Sequence, residues 1–464
     1  MSTAPTAPTP APTAAPDWAG PRKVAALAAV AGVAAFAAAA VITYGTAEDG
    51  HGPGGTTRIL AAYLSAWVYW LSLPLGGMAL LMIHYLAKTS WGVLLRRPLE
   101  SATRTLPLMA VLFVPVVIGA FVQKDSHAPL YWWSAPEHTH AADHPPASQP
   151  GDHADAGAAT IAAKQAERRK MSDDAVKKRV AEEQRERYDA TFSFLSPPAF
   201  AGVAVVLFAV WGAFIYVLNK WGQDGETDPA KLPASLEKLK NVSGPGLIAY
   251  AITLTVGASQ WVMSLEPAWA STMFPVIFAV NQLLTCFAFC VATFLFLVAR
   301  PPFRDLMRPK FQLDMGTLML AFTLFWSYTS FSQLLIIWIG NLPEEIPFYL
   351  RRSGGGWWWV SAGLIVFHFA LPFLLLLFRD IKLHPVRLRA MAIYLLVMCA
   401  VDVVWWVEPT FEGYSAASLL LDVGALLGIG GVWGLLFLYH LKQRPLFPAN
   451  EAYQLPEGHH HESH

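Results

Sequence analysis

Ten stretches of this chain are apolar for long enough to cross a lipid bilayer, and that feature leaves few folds open. A hydrocarbon core takes about 20 mainly apolar residues per helix. The stretches run over 24–44, 59–86, 106–122, 197–219, 246–265, 273–299, 317–339, 357–378, 388–407 and 418–440, the third being the shortest. The chain is 55% hydrophobic and only 14% charged, with a mean hydropathy of +0.39, which is more apolar sequence than one soluble core can cover with polar surface. The expected fold is all-α and polytopic, with about ten transmembrane helices.

Charge then orients the spans. Lys plus Arg and Asp plus Glu balance at 33 each, so net charge supplies no argument for nucleic acid as a partner, and only placement informs. The loop after the second span holds Lys88, Arg96, Arg97 and Arg104, and the loop after the fourth holds Lys220, Lys231, Lys238 and Lys240. Arg300, Arg304, Arg308 and Lys310 follow the sixth; Arg379, Lys382, Arg387 and Arg389 follow the eighth. The opposite short loops carry only Arg58, Arg351 and Arg352. By the positive-inside rule both termini are expected in the cytoplasm. The long segment between spans three and four is exempt, because long loops translocate whatever their charge.

The expected segments are a disordered cytoplasmic tail (1–22), spans one to three (23–122), a His-rich and then helical periplasmic insertion (123–190), spans four and five (191–272), spans six to nine (273–411), span ten (412–441) and a cytoplasmic tail (442–464). Arg22 and Lys23 before the Ala-rich first span also fit a signal peptide, but the apolar run is longer than a typical h-region and is read as a permanent span. His127, His138, His140, His144 and His153 invite a metal reading. They sit among Pro, Ala and Gly without ligand spacing, so a solvated loop is the expectation, and no metal site is assigned. Cys286, Cys290 and Cys399 lie in apolar runs with no CxxC or CxxCH, so no cluster or covalent haem belongs to this chain. They are expected to pack.

One short pattern recurs. Gln260, five residues, then Glu266-Pro267 closes the fifth span; Asp402, five residues, then Glu408-Pro409 closes the ninth, at an offset of 142. With spans two to five and six to nine each ending this way, the chain reads as two related four-helix bundles flanked by spans one and ten.

An ionisable side chain near mid-bilayer costs about 2.5–3.5 kcal/mol, so one that persists is a functional candidate. Apart from Arg389 at the basic edge of the ninth, no Lys or Arg falls within the spans as drawn, which leaves His84, His368, Asp402 and Asp422, with Glu266, Glu344, Glu345 and Glu408 at the outer boundary. At 1.5 Å per residue Asp402 lies about 9 Å below Glu408, and His368 about 16 Å below Trp357. Thr323, Ser327, Ser330 and Gln333 follow helical spacing, which predicts one polar stripe along the seventh span. With His368 and Asp402 they are the candidate proton path, and His84, Asp422 and Glu408 are its possible extensions. Gln260, Glu266, Glu344 and Glu345 are the candidate outer-face or quinone site. The competing readings are back-bonded Ser and Thr that glue helices, a permanently neutral Asp402, and plain helix exits before proline at Glu266 and Glu408. A haem between His84 and His368 is disfavoured, because their depths differ by about half the membrane.

Four blocks carry a resemblance: "QWVMSLEPAWAST" (260–272), "FWSYTSFSQLLIIWIGNLPEE" (325–345), "HFALPFLLLL" (368–377) and "VDVVWWVEP" (401–409). "IHYLAKTSWGVLLRRPLE" (83–100) and "LYWWSAPE" (130–137) fit as well. Over spans two to ten they resemble the NrfD-like integral membrane subunits of alternative complex III, most closely the second of the two large ones, labelled quinone-binding subunit 2. The resemblance implies a bacterial respiratory complex that oxidises menaquinol or ubiquinol and passes electrons through iron-sulfur clusters and c-type haems to a cytochrome c or terminal oxidase. It implies a sister NrfD-like subunit, an iron-sulfur protein and c-type cytochromes as partners, in surrounding membrane lipid. It also implies that this chain conducts protons or supports the complex without a redox cofactor of its own. The sequence departs from the family pattern in having Gln260 where an Asp is usual and Ala268 where a His is frequent, which puts a proton route through the first bundle in doubt. The rival classes are a secondary transporter and a subunit that itself binds quinol near the periplasmic face.

Overall fold

The computed structural model describes residues 18–46, 54–123, 129–134, 194–266, 269–298, 308–343, 345–411 and 413–445. The insertion's histidines and its charged stretch (135–190), Glu344 and the C-terminal histidine run lie outside the described residues. Every described element is helical, and ten helices are long and apolar enough to span a bilayer. They are α1 (Ala19–Thr46), α2 (Gly55–Ala87), α3 (Leu106–Val122), α4 (Pro197–Thr227), α5 (Leu232–Trp261), α6 (Phe274–Val298), α7 (Pro309–Gly340), α8 (Trp357–Leu377), α9 (Pro385–Val407) and α10 (Ala416–Lys442). This is a multi-pass integral membrane protein of the expected all-α class, since only helices satisfy every backbone group within one segment of chain.

Several helices outrun their apolar stretches. α2 begins at Gly55, so Arg58 lies in its first turn and is buried, contrary to the expectation that no basic residue falls within a span. α5 begins at Leu232 instead of 246, and the expected loop of 88–104 holds a helix, Ser90–Thr103. Hydropathy ends at the first charged residue, whereas a helix continues for as long as its side chains find water, headgroups or partners. Local chemistry sets the true ends: proline in the first turn of α4, α5, α7 and α9, where its missing N–H costs nothing. Ser415 and Ser418 cap α10 reciprocally.

α2, α3, α4 and α5 pack in a closed ring, and so do α6, α7, α8 and α9. The rings meet along α2 and α6, the two most enclosed spans. Gly76 allows that approach, for a Cβ there would stand 2.4 Å from the carbonyl oxygen of Gln282. α1 lies against α10 outside both rings at equally short range; a Cβ on Gly32 would meet Gly428 N at 2.1 Å. Pro74 and Pro115 fall inside helices, while Pro275 stands in the first turn of α6, where it does not kink the span. The ends of the helices joined by the Arg- and Lys-rich loops are called the basic end below, and the opposite ends the far end.

Candidate functional site

Each helix of the second ring sends a polar or aromatic side chain to one point around Asp402. The Asp402 carboxylate, 1% exposed, accepts at Oδ2 from Asn281 Nδ2 on α6 (2.9 Å) and from Trp326 Nε1 on α7 (2.8 Å). Trp406, one turn on in α9, is a further donor beside it. Thr285 Oγ1 donates to Asn281 Oδ1 at 3.2 Å, which fixes the amide with its N–H toward the acid. His368 on α8 stacks on Trp326 with centroids 4.0 Å apart, and its Nε2 lies 3.7 Å from Cys399 Sγ on α9. The imidazole is fully buried, and its Nδ1 has no partner among the described residues.

His368 occupies a π-helical turn, Leu364–Ala370, that interrupts α8. The cause lies in the sequence: Pro372 has no N–H to offer the His368 carbonyl four residues earlier, and its ring crowds that oxygen. π turns concentrate at functional positions. This one widens α8 at the histidine.

The arrangement can hold a proton. Burying an ionised Asp costs about 2.5–3.5 kcal/mol, while each hydrogen bond to a charged group returns about 1.5–3 kcal/mol. Two or three such donors bring the ionised and protonated forms of Asp402 within a few kcal/mol of each other. No cation pairs with Asp402 among the described residues to lock its charge. No group of three His, Cys, Asp or Glu side chains is placed to hold a metal among the described residues.

The expected stripe on α7 is rotated. Thr323 and Gln333 are buried, but Trp326 and Thr329 occupy the inward positions between them, and Ser327 and Ser330 are only half-buried. A helix turns 100° per residue, so the 323, 326, 329/330, 333 row drifts, and the large indole takes the centre. Thr323 Oγ1 donates to Met319 O within its own helix (2.9 Å). Gln333 bonds Ser271 Oγ (3.2 Å) and Tyr349 OH (3.3 Å) at the far end. Burial pushes the Tyr349 phenol up to about 12, so it stays neutral.

At the far end the two Glu-Pro signatures face arginines from the other ring. Glu266, closing the first ring, pairs with Arg351 (2.9 Å) and Arg352 (3.4 Å), which precede α8, and accepts from Thr410 Oγ1 of the second signature (3.0 Å). Glu408, closing the second ring, pairs with Arg58 of α2 at 3.0 Å. The three basic residues of the short far-end loops, Arg58, Arg351 and Arg352, are thus the partners of the two matched glutamates. Arg352 also donates to the carbonyls of Phe348, Trp405 and Trp406 and stacks on Phe348 at 3.5 Å. Burial lowers its pKa to about 10 against the pull of Glu266, and it remains a cation at neutral pH. Asp422 accepts from Tyr414 OH (2.8 Å) and lies within hydrogen-bonding reach of Glu408. Burial, then the Asp422 charge, pushes the Tyr414 phenol well above its ordinary range.

The other candidates lie apart. Gln260 is buried but bonds Phe194 O (3.0 Å), outside both rings. His84 is at the basic end, with Nδ1 3.0 Å from Thr89 Oγ1. Glu345 is half-buried at the start of the short helix Ile346–Ser353, and Glu344 lies outside the described residues. Sequence reasoning did not single out Asn281, Thr285 or Trp326. The signal was there in Asn281, Gln282 and Thr285, polar residues clustered within about one turn of a mainly apolar span, but a search for ionisable groups passes over neutral side chains. The chain matches no family model and no curated protein.

Proposed function

We propose that this chain is a proton-conducting subunit, with no redox cofactor of its own, of a bacterial quinol:cytochrome c or quinol:oxidase oxidoreductase of the NrfD-like, alternative complex III type. The observation that carries the proposal is the Asp402 cage: a buried acid with neutral donors from neighbouring helices, beside a buried histidine on a π turn. An acid so placed takes up and gives back a proton without leaving an unpaired cation behind. The resemblance of the helix-closing and α7 blocks to NrfD-like subunits supplies the setting. In it a sister subunit beside an iron-sulfur protein oxidises menaquinol or ubiquinol, and c-type cytochromes carry electrons to a cytochrome c or terminal oxidase. The basic end then faces the cytoplasm by the positive-inside rule, and the far end, with Glu266, Glu408 and Asp422, is the release side.

A second reading, secondary transport, is favoured by the interrupted helix α8, since broken helices mark transporter sites. Purification in mild detergent separates the two. Co-purifying c-type haem and an iron-sulfur subunit support the first; a lone, colourless protein that moves a solute in vesicles supports the second. In reconstituted complex, Asp402→Asn is expected to abolish quinol-driven proton movement while quinol oxidation persists. Unchanged proton movement would end the proposal.

A further inference from the structure

The basic end carries a charge cluster that the Asp402 cage does not use. Arg96 Nε donates to Glu100 Oε1 (2.8 Å) and its Nη2 pairs with Glu226 Oε1 (3.0 Å). Arg97 pairs with the same two acids, at Glu100 Oε2 (2.8 Å) and Glu226 Oε2 (2.5 Å). Those four groups neutralise one another. Two more arginines adjoin them. Arg104 donates from Nε to Asn219 Oδ1 (2.8 Å), and its two Nη groups make no hydrogen bond among the described residues. Arg444 reaches Glu100 Oε2 only at 3.4 Å and otherwise donates to the neutral Gln223. Four guanidiniums therefore share two carboxylates, an excess of two positive charges among the described residues.

A second observation lies beside the arginines. His440, in the last turn of α10, is half-buried within electrostatic reach of Arg104 and within hydrogen-bonding reach of the Gln443 side chain, and its buried Nδ1 makes no hydrogen bond of good geometry among the described residues. Arg104 is half-buried as well, so its free fork opens to the surface. One residue round α10 from His440, Tyr439 and Val432, two turns apart on one face, are exposed, an apolar track that runs from beside the cluster toward the membrane centre. Burial and the neighbouring arginines lower the Arg444 pKa, although Glu100 and Glu226 oppose them.

We propose that Arg104, Arg444 and His440 bind the phosphate of an anionic phospholipid headgroup, with an acyl chain along Val432 and Tyr439. A guanidinium fork matches two phosphate oxygens, and an anion there removes the excess charge that the two glutamates leave. Basic pockets between spans are where anionic headgroups collect. The headgroup would then join α3, α4 and α10 at their basic ends, where Trp433 Nε1 to Thr105 Oγ1 (2.7 Å) and the arginine contacts already tie α10 to the edge of the first ring.

The test uses the full chain, delipidated in detergent and titrated with phosphatidylglycerol, cardiolipin or phosphatidylcholine, read by native mass spectrometry. Retention of the anionic lipids and not of phosphatidylcholine is expected. The double variant Arg104→Gln/Arg444→Gln should lower that retention about thirtyfold, a factor of five or six for each charge. Gln223→Glu alters an exposed side chain and leaves every arginine in place, yet sets a resident carboxylate against Arg444; it should lower retention about fivefold. If the double variant does not fold, Gln223→Glu decides. Millimolar inorganic phosphate distinguishes the sources: binding of phosphate with no added gain from the lipid overturns the lipid assignment in favour of a soluble anion. Equal retention of zwitterionic lipid, or full retention by Gln223→Glu, overturns the site.

Discussion

The two four-helix rings share a plan and differ in what fills them. In the first, Trp67, Phe113, Trp211 and Trp261, one from each helix, converge, with Trp67 and Phe113 4.3 Å apart, Phe113 and Trp261 5.0 Å, and Trp211 and Trp261 5.7 Å. In the second, the same region holds Asp402, Asn281, Thr285, Cys399 and His368 around the indoles of Trp326 and Trp406. α4 runs unbroken, while its counterpart α8 carries the π turn. Packed aromatic rings leave no route for water or protons. A ring that keeps an acid, a histidine and a widened helix retains the parts of such a route. The two rings thus share one four-helix plan, with a buried acid at the centre of the second and packed aromatic rings at the centre of the first.

The far end binds the copies together, and breaking it is the harshest perturbation. Arg352→Ala leaves Glu266 short of a partner and takes the guanidinium donor from three carbonyls, and is expected to cost about 3–5 kcal/mol. Thermal unfolding in detergent should show it, and Arg352→Lys should restore little, because an ammonium cannot reach in several directions at once. Next, Trp261→Ala in the aromatic ring should destabilise by about 3 kcal/mol while proton movement per folded molecule stays unchanged. If it raises proton movement instead, the first ring is a plugged path, and the contrast between the copies is one of degree.

Trp326→Phe makes a finer cut. It keeps the stack on His368 and removes the N–H that reaches Asp402, at an expected cost of about 1.5 kcal/mol and a tenfold slowing of proton movement. No change in rate would mean that Trp326 packs without holding the acid.

Much of this organisation was legible in the residues. The ten spans, the two sets of four and Asp402 as the second copy's distinguishing acid all follow from hydropathy and one recurring pattern, because a bilayer forces length and polarity to show in the chain. The partners of Asp402 were not legible. Asn281 and Trp326 lie 121 and 76 residues away, and only tertiary packing brings them to it. Nor did loop charge counts reveal that Arg58, Arg351 and Arg352 bridge the rings, since counting treats them as topology signals. Ser327 and Ser330 stand half-buried beside the inward row for a geometric reason: spacings of three and four are equally helical, and nothing in the sequence says which row a bulky tryptophan will claim.

That row supplies the gentlest test. Thr329 is buried and returns its hydroxyl to the carbonyls of Phe325 (2.9 Å) and Trp326 (3.0 Å), whereas Ser330 is half-buried on the next row. Thr329→Val keeps the shape and deletes a hydroxyl that only back-bonds, so a loss of about 1 kcal/mol is expected. Ser330→Ala should fall within about 0.5 kcal/mol of the parent. Neither should alter proton movement, because neither side chain contacts Asp402 or His368 among the described residues. A Ser330→Ala variant that folds normally but slows proton movement would return the path to the 323, 327, 330, 333 row, with water bridging what the side chains do not reach. Unaltered rates in both variants would place the polar interior of the second ring at Trp326 and the residues it touches.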